Sequence, residues 1–197
     1  MPKPLEPMPM SREFSRATEV ALPITSAVVG VYPSLNLADA FSIRLPAHAS
    51  GDPGVLARHL VAHQPAWIGA LTRLRDVLVA GFGLKTARHL STLGGDGQPA
   101  RIGIFKDYGA TGHEVVLGED DKHLDFRLSV LCAAEPGSGQ PRLTVSTVVH
   151  CHNLLGRTYL RVIAPFHRRV VKASLDRAAR VGWPSAPAPT HVQGDAA

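Results

Sequence analysis

Four times between residues 102 and 151 the chain repeats one rhythm, a short run of alternating apolar and polar side chains followed by a turn. The runs are Ile102 to Lys106, His113 to Leu117, Leu124 to Cys132 and Leu143 to Cys151. Alternation with period two, rich in β-branched residues, is the pattern of a half-buried strand. The turns are Tyr108-Gly109, Glu119-Asp120-Asp121 and the Gly- and Pro-rich stretch from Glu135 to Pro141. Connections this short join antiparallel neighbours, because a parallel crossover needs a dozen residues or more. An antiparallel sheet is therefore expected at the centre, and one of its faces must be covered.

The cover is read from Leu154 to Val181. Leu155, Tyr159, Val162 and Ile163, Phe166, Val170 and Ser174 recur at helical spacing, while Arg157, Arg161, Arg168 and Lys172 fall on another face. Pro165 lies inside this pattern, so a kink near Arg161 to Ile163, or a broken helix, is expected. Gly182, Trp183 and Pro184 stop it. Upstream, Asp39 to Pro46 alternates as a first strand. Asp52 and Pro53 then open a helix running to about His63, as an N-cap and a first-turn proline should. Pro65 starts a second helix to about Ala80, with Trp67, Leu71, Leu74 and Leu78 on one stripe; Gly81 and Gly83 end it.

The order is strand, two short helices, antiparallel meander and long helix. It describes an α+β helix-grip arrangement, a curved antiparallel sheet wrapped around a C-terminal helix with a cavity between. Residues 1–36, with five prolines before position 24, read as a flexible N-terminal arm; 37–183 form a single domain, and 184–197 a disordered tail.

Composition narrows the classes. At 197 residues and 45% hydrophobic content the chain can bury one good core but not two. It has no apolar run long enough for a membrane-spanning helix. The apolar stretch Val20 to Tyr32 is broken by Pro23, Thr25 and Ser26 and preceded by mixed charge, unlike a cleaved export signal. A cytoplasmic protein is expected, with Cys132 and Cys151 as buried thiols. The net charge of +5 is local: residues 157–180 hold seven basic side chains against Asp176 alone. That face could meet an anionic membrane surface, or less readily nucleic acid, since no aromatic residues interleave as a stacking platform. A solvated helix face is the ordinary alternative.

Several of these segments resemble an uncharacterised bacterial domain-of-unknown-function family, which we associate with the START-like, polyketide-cyclase-like (SRPBCC) superfamily. The residues that carry the likeness are Ala38 to Phe41, Pro65 to Trp67 with Leu71, Leu74, Arg75 and Leu78, Gly81 to Lys85, His123 to Arg127, His150, His152-Asn153, Gly156 to Leu160 and Pro165 to Arg168. The likeness runs from about Asp39 to Trp183. It implies the helix-grip fold and no assigned activity. Superfamily members bind lipids, sterols, polyketides or plant hormones, and some are cyclases or hydratases, so the fold alone does not decide function. Relatives also occur fused behind nucleotide-sugar-epimerase-like domains, but this chain carries no Gly-rich dinucleotide fingerprint.

The leading expectation is a binding protein for a small apolar or amphipathic molecule, with Trp67, Arg75, Phe126, Arg127, Tyr159, Phe166 and His167 as ligand-contacting candidates and no cofactor. The alternative is an enzyme of cyclase or hydratase type with a histidine as acid or base. Its candidates are His150, His152, His167 and Asp125. A third is an interaction module using the basic helix. His150 and His152 share one strand face, as do Asp125 and Arg127, so the pairing register decides whether they line the cavity or the outer surface. The apolar alternation of Leu124, Phe126, Leu128 and Val130 favours the outer surface. His59 and His63 stand four apart on a helix, as a metal pair can, but no third ligand accompanies them and no metal is expected. Arg75 could hold a ligand carboxylate or pair with Asp76 or Asp39.

Overall fold

The computed structural model describes residues 15–69, 100–135 and 137–186. Its seven strands are β1 (Thr18–Val20), β2 (Leu37–Arg44), β3 (Arg101–Ile102), β4 (Phe105–Ala110), β5 (Glu114–Asp120), β6 (Leu124–Ala134) and β7 (Pro141–Cys151). They form one antiparallel sheet in the order β1-β2-β7-β6-β5-β4-β3. Two helices are described in full, α1 (Pro53–Ala62) and α2 (Leu154–Val181), and residues 66–69 are helical as well. Of the expected second short helix, only this beginning lies within the described residues; Arg75 lies outside them.

Local chemistry sets the helix ends where the sequence placed them. The Asp52 side chain accepts from Val55 N at 2.9 Å and Pro53 follows it. Asn153 caps α2 by accepting from Gly156 N at 3.0 Å. Position 156 requires glycine, since a Cβ there would stand 2.1 Å from His123 O. α2 continues through Pro165 rather than breaking. The reason is placement: Pro165 and Arg161 are both exposed, so the carbonyl the proline leaves unpaired is on the solvent side.

The cover is shared between the two helices. α2 packs on β2 and β7, α1 packs on β5 and β6, and the two helices touch. Beneath them Phe41, Ile43, Val115, Leu117, Val130, Leu143 and Val145 meet Leu56, Leu175 and Ala178 in the main core. A smaller cluster of Val149, Cys151 and Leu160, with Leu37, Leu124 and Phe126 against it, lies under the start of α2. Cys132 and Cys151 are free and buried, near opposite ends of the β6–β7 ladder, and burial pushes both thiols up.

Two further differences concern strands. The run expected over Ile102 to Lys106 divides into β3 and β4, with Gly103 at φ 62 in the tight turn. Tyr108-Gly109, expected as a turn, stays within β4: Gly109 at φ 136 absorbs a register shift between Asp107 and Gly109, a bulge instead of a reversal.

Residues 15–36 also differ from a flexible arm. β1 pairs with β2, and Ala17 N donates to Asp176 Oδ1 at 2.8 Å. The chain then crosses to the face opposite the helices. There the buried Glu114 accepts from Ser26 Oγ at 2.6 Å, from Ala27 N at 2.9 Å and from Ser129 Oγ. Val28 is fully buried. The prolines of this segment shape a strap with extended backbone and turns, and the strap buries the second sheet face.

Candidate functional site

The β2–β7 register sets Asp39 opposite Thr147 on the helix-covered face. His167 reaches them from α2, its Nε2 3.1 Å from Thr147 Oγ1 and 3.5 Å from Asp39 Oδ1. Arg168 Nε lies 3.5 Å from Asp39 Oδ2. The Asp39 side chain is 2% exposed, yet neither of its oxygens accepts a hydrogen bond of good geometry. A carboxylate that deep is costly unless cationic groups compensate it, and His167 and Arg168 are the groups at hand. Among the other expected ligand contacts, Phe126 is half-buried and meets Phe105 edge to face at 6.0 Å. Tyr159 is half-buried, and Phe166 and Trp67 are exposed.

A cavity of about 960 Å³ opens elsewhere, where the end of β2 meets the end of α2. Leu45, Pro46, Val181 and Trp183 supply apolar wall, and Arg16, Arg44, His48 and Arg180 supply the polar groups. This size is within the usual range for small-molecule sites. It lies at the C-terminal ends of β2 and α2 and not between the body of the sheet and the helix. The ligand-contacting candidates Trp67, Phe126, Arg127, Tyr159, Phe166 and His167 do not line it.

The register also places the four residues whose face was undecided. Asp125 stands directly opposite His150, while Leu124, Phe126 and Leu128 oppose Cys151, Val149 and Thr147 beneath the helices. Asp125, Arg127, His150 and His152 therefore turn away from α2. His152 Nε2 pairs with Asp125 Oδ2 at 2.9 Å. The strap covers part of this cluster: Tyr32 stacks on His150 at 5.7 Å between ring centroids, and Ser34 O lies 2.9 Å from His150 Nδ1. Arg127 Nη1 donates to Asp120 Oδ1 at 2.7 Å, and its guanidinium lies 3.5 Å over the Tyr108 ring. Tyr108 in turn donates to Asp120 Oδ2 at 2.6 Å. Burial raises the Asp120 pKa, but the bonds from Arg127 and Tyr108 outweigh it and hold the carboxyl below its ordinary range. Burial pushes the Tyr32 phenol up to about 12, and Tyr108 also up. The same guanidinium lies 5.6 Å from the Tyr32 ring centroid, so Tyr32 of the strap and Tyr108 of the sheet both meet Arg127.

His59 and His63 form neither a cavity wall nor a three-ligand cluster among the described residues. Their rings tilt together at 4.3 Å, and His59 also meets Trp183 at 5.7 Å.

Residues 31–174 match the model of a family described as "Protein of unknown function (DUF2867)". The chain belongs to that family. No curated protein matches it. The DUF2867 span takes in Asp39, Thr147, His167 and the outer-face cluster. It excludes Arg16 and the Ala179-to-Trp183 part of the cavity wall, so that cavity is assembled partly from residues outside the family's matched region.

Sequence reading missed Arg16, Arg44, His48 and Arg180 because they come from four separate segments and no spacing pattern links them. It also missed Asp39 as a site residue. The signal for Asp39 was present: a lone carboxylate at an inward-facing position of an apolar strand, where Phe41 and Ile43 share its face.

Proposed function

We propose that this protein binds a small amphipathic molecule in the cavity between the end of β2 and the last turn of α2. The observation that carries the reading is the cavity itself, about 960 Å³ with apolar wall on one side and cationic side chains on the other. An antiparallel sheet with a long C-terminal helix packed on one face is in keeping with a START-like helix-grip fold, whose members hold such molecules between the same two elements. The two free, buried thiols fit a reducing cytoplasm. No helix among the described residues is long and apolar enough to cross a membrane.

The test uses Trp183, which lines the cavity. In a Trp67→Phe background the remaining tryptophan emission reports on that site alone. Titration with short-chain amphiphiles should shift it saturably and raise the unfolding temperature. Amphiphiles that stabilise the protein while leaving Trp183 unchanged would place binding elsewhere.

A second reading rests on the Asp39–His167 pair. Of the four histidine and aspartate candidates for acid–base chemistry, His167 alone faces α2's side of the sheet, and Asp39 gives it a carboxylate partner. An enzyme reading therefore centres on His167, without His150, His152 or Asp125.

A further inference from the structure

We propose that the exposed face of α2 between Leu154 and Lys172 docks this protein on an anionic lipid bilayer. The face is separate from the cavity, to which α2 contributes only Ala179, Arg180 and Val181, so the inference stands apart from the reading given to that cavity.

Charge is the first observation. From Leu154 to Leu175 the helix contains no Asp or Glu. Arg157, Arg161, Arg168, Arg169 and Lys172 are all exposed. Arg168 Nε lies 3.5 Å from the buried Asp39, and the other four have no carboxylate partner among the described residues. Asp176, the next acid along α2, is half-buried and its Oδ1 accepts from Ala17 N. With Asp39 set against Arg168 and Asp176 set against a second cation, three of these five cations remain unopposed. The positive end of the α2 dipole lies at Leu154 and adds to them. The second observation is apolar. Leu154 is 74% exposed, Val162 57% and Phe166 45%. At 3.6 residues per turn these three and the five cations fall within about half of the helix circumference, and at 1.5 Å per residue they extend over about 27 Å. Water gains nothing from apolar side chains on a cationic face. A bilayer accommodates both kinds: Arg and Lys keep their charged ends among the lipid phosphates while their stems and the apolar side chains enter the head-group boundary. A nucleic-acid backbone would take the cations but set Leu154, Val162 and Phe166 against phosphate and sugar. Unlike a closed site for one anion, a charged surface needs its cations exposed, as these are.

Flotation of the full chain with vesicles tests this, using phosphatidylcholine alone or mixed with phosphatidylserine. The chain should float with the mixed vesicles and stay behind with phosphatidylcholine. Salt at about 1 M, where the Debye length is about 3 Å, should weaken the binding about tenfold or more. Replacing both Arg161 and Arg169 by Gln should also weaken it about tenfold or more. Phe166→Ser leaves the charge unchanged and should weaken binding severalfold, because the face then loses its most bulky apolar contact. Unchanged unfolding temperatures show that these variants keep the fold; replacing both Arg157 and Lys172 by Gln supplies a second charge variant with the same expected loss. Short duplex DNA and polyglutamate at the same salt stand for nucleic acid and an acidic protein, and both should bind more weakly than the mixed vesicles. Binding to no vesicle, or equal binding to phosphatidylcholine alone, overturns the proposal. So does full binding by the Phe166→Ser variant, since the contact would then be charge attraction without docking. Tighter binding of DNA or polyglutamate than of mixed vesicles assigns the face to that class of partner and overturns it too. The cavity reading survives each of these outcomes.

Discussion

At the scale of single residues, burial does more than charge to set behaviour. His59 lies against His63 and Trp183, and burial, then the neighbouring His63, holds its pKa below the ordinary value of 6.5. Its folded pKa is thus lower than its unfolded one, and below pH 6.5 the unfolded chain takes up a proton that the folded chain resists. The associated stability is complete above 6.5 and is lost as pH falls through and below that value. Denaturant midpoints measured from pH 8 to pH 5 should decline toward acid, and His59→Gln should flatten that decline. Gly103 gives a second residue-scale expectation. It needs a positive φ of 62, and a Cβ there would stand 2.7 Å from Val61 Cγ1 of α1. Gly103→Ala should cost about 1–3 kcal/mol through turn strain and displacement of α1, seen as a lowered denaturation midpoint. Neither residue advertised its role in the sequence. A histidine pair four apart suggests a metal before it suggests stacking, and Ile102-Gly103-Ile104 reads as continuous strand until the turn between β3 and β4 is seen.

Elements were legible where one periodicity ran long enough. The ends of α1 and α2 and the span of β6 and β7 follow from caps, stop signals and alternation. The strap at residues 21–36 did not, because its order comes from a distant side chain and not from local pattern. Glu114 supplies that order by accepting from Ser26, Ala27 and Ser129 at once. From the sequence it is an ordinary first residue of a strand. Glu114→Ala leaves two buried hydroxyls and the part-buried Ala27 N–H without their acceptor, and should cost about 3 kcal/mol. Glu114→Gln keeps one acceptor oxygen in place and should recover part of that loss. Hydrogen exchange at the Ala27 amide reports the strap directly and should quicken in the alanine variant more than exchange at Val145 in the core. Equal acceleration at both positions would mean that Glu114 supports the whole fold and not the strap in particular.

For the whole molecule, the question is which sheet face is covered and by what. Alternation along β6 correctly turned Asp125 and Arg127 away from α2, but it could not show that a second layer meets them. A strand whose outward positions include Ser129, Arg127 and Asp125 looks solvated, whereas Ser129, Ser146, Val148 and Ala40 on that face are all fully buried. The sheet is therefore sandwiched, with helices on one side and chain from before β2 on the other. The helix-side cavity suffers the reverse difficulty. Its wall draws on residues from both ends of the chain, so its existence depends on where β1 and the end of α2 meet, which no local pattern encodes. Both points converge on the N-terminal segment, which carries Arg16 into the cavity and Val28 onto the opposite face. A chain beginning at residue 37, the boundary that composition suggests, should lose both layers of that support. Removing the strap exposes the apolar side chains of Ala40 and Val148 and leaves the Glu114 carboxylate without two of its partners. We expect such a chain to keep much of its far-ultraviolet circular dichroism, lose the near-ultraviolet signal and bind the dye ANS, the marks of a collapsed but unpacked state. A truncated chain with native near-ultraviolet dichroism and no dye binding would show that the strap is an accessory to the sheet and not a layer of the fold.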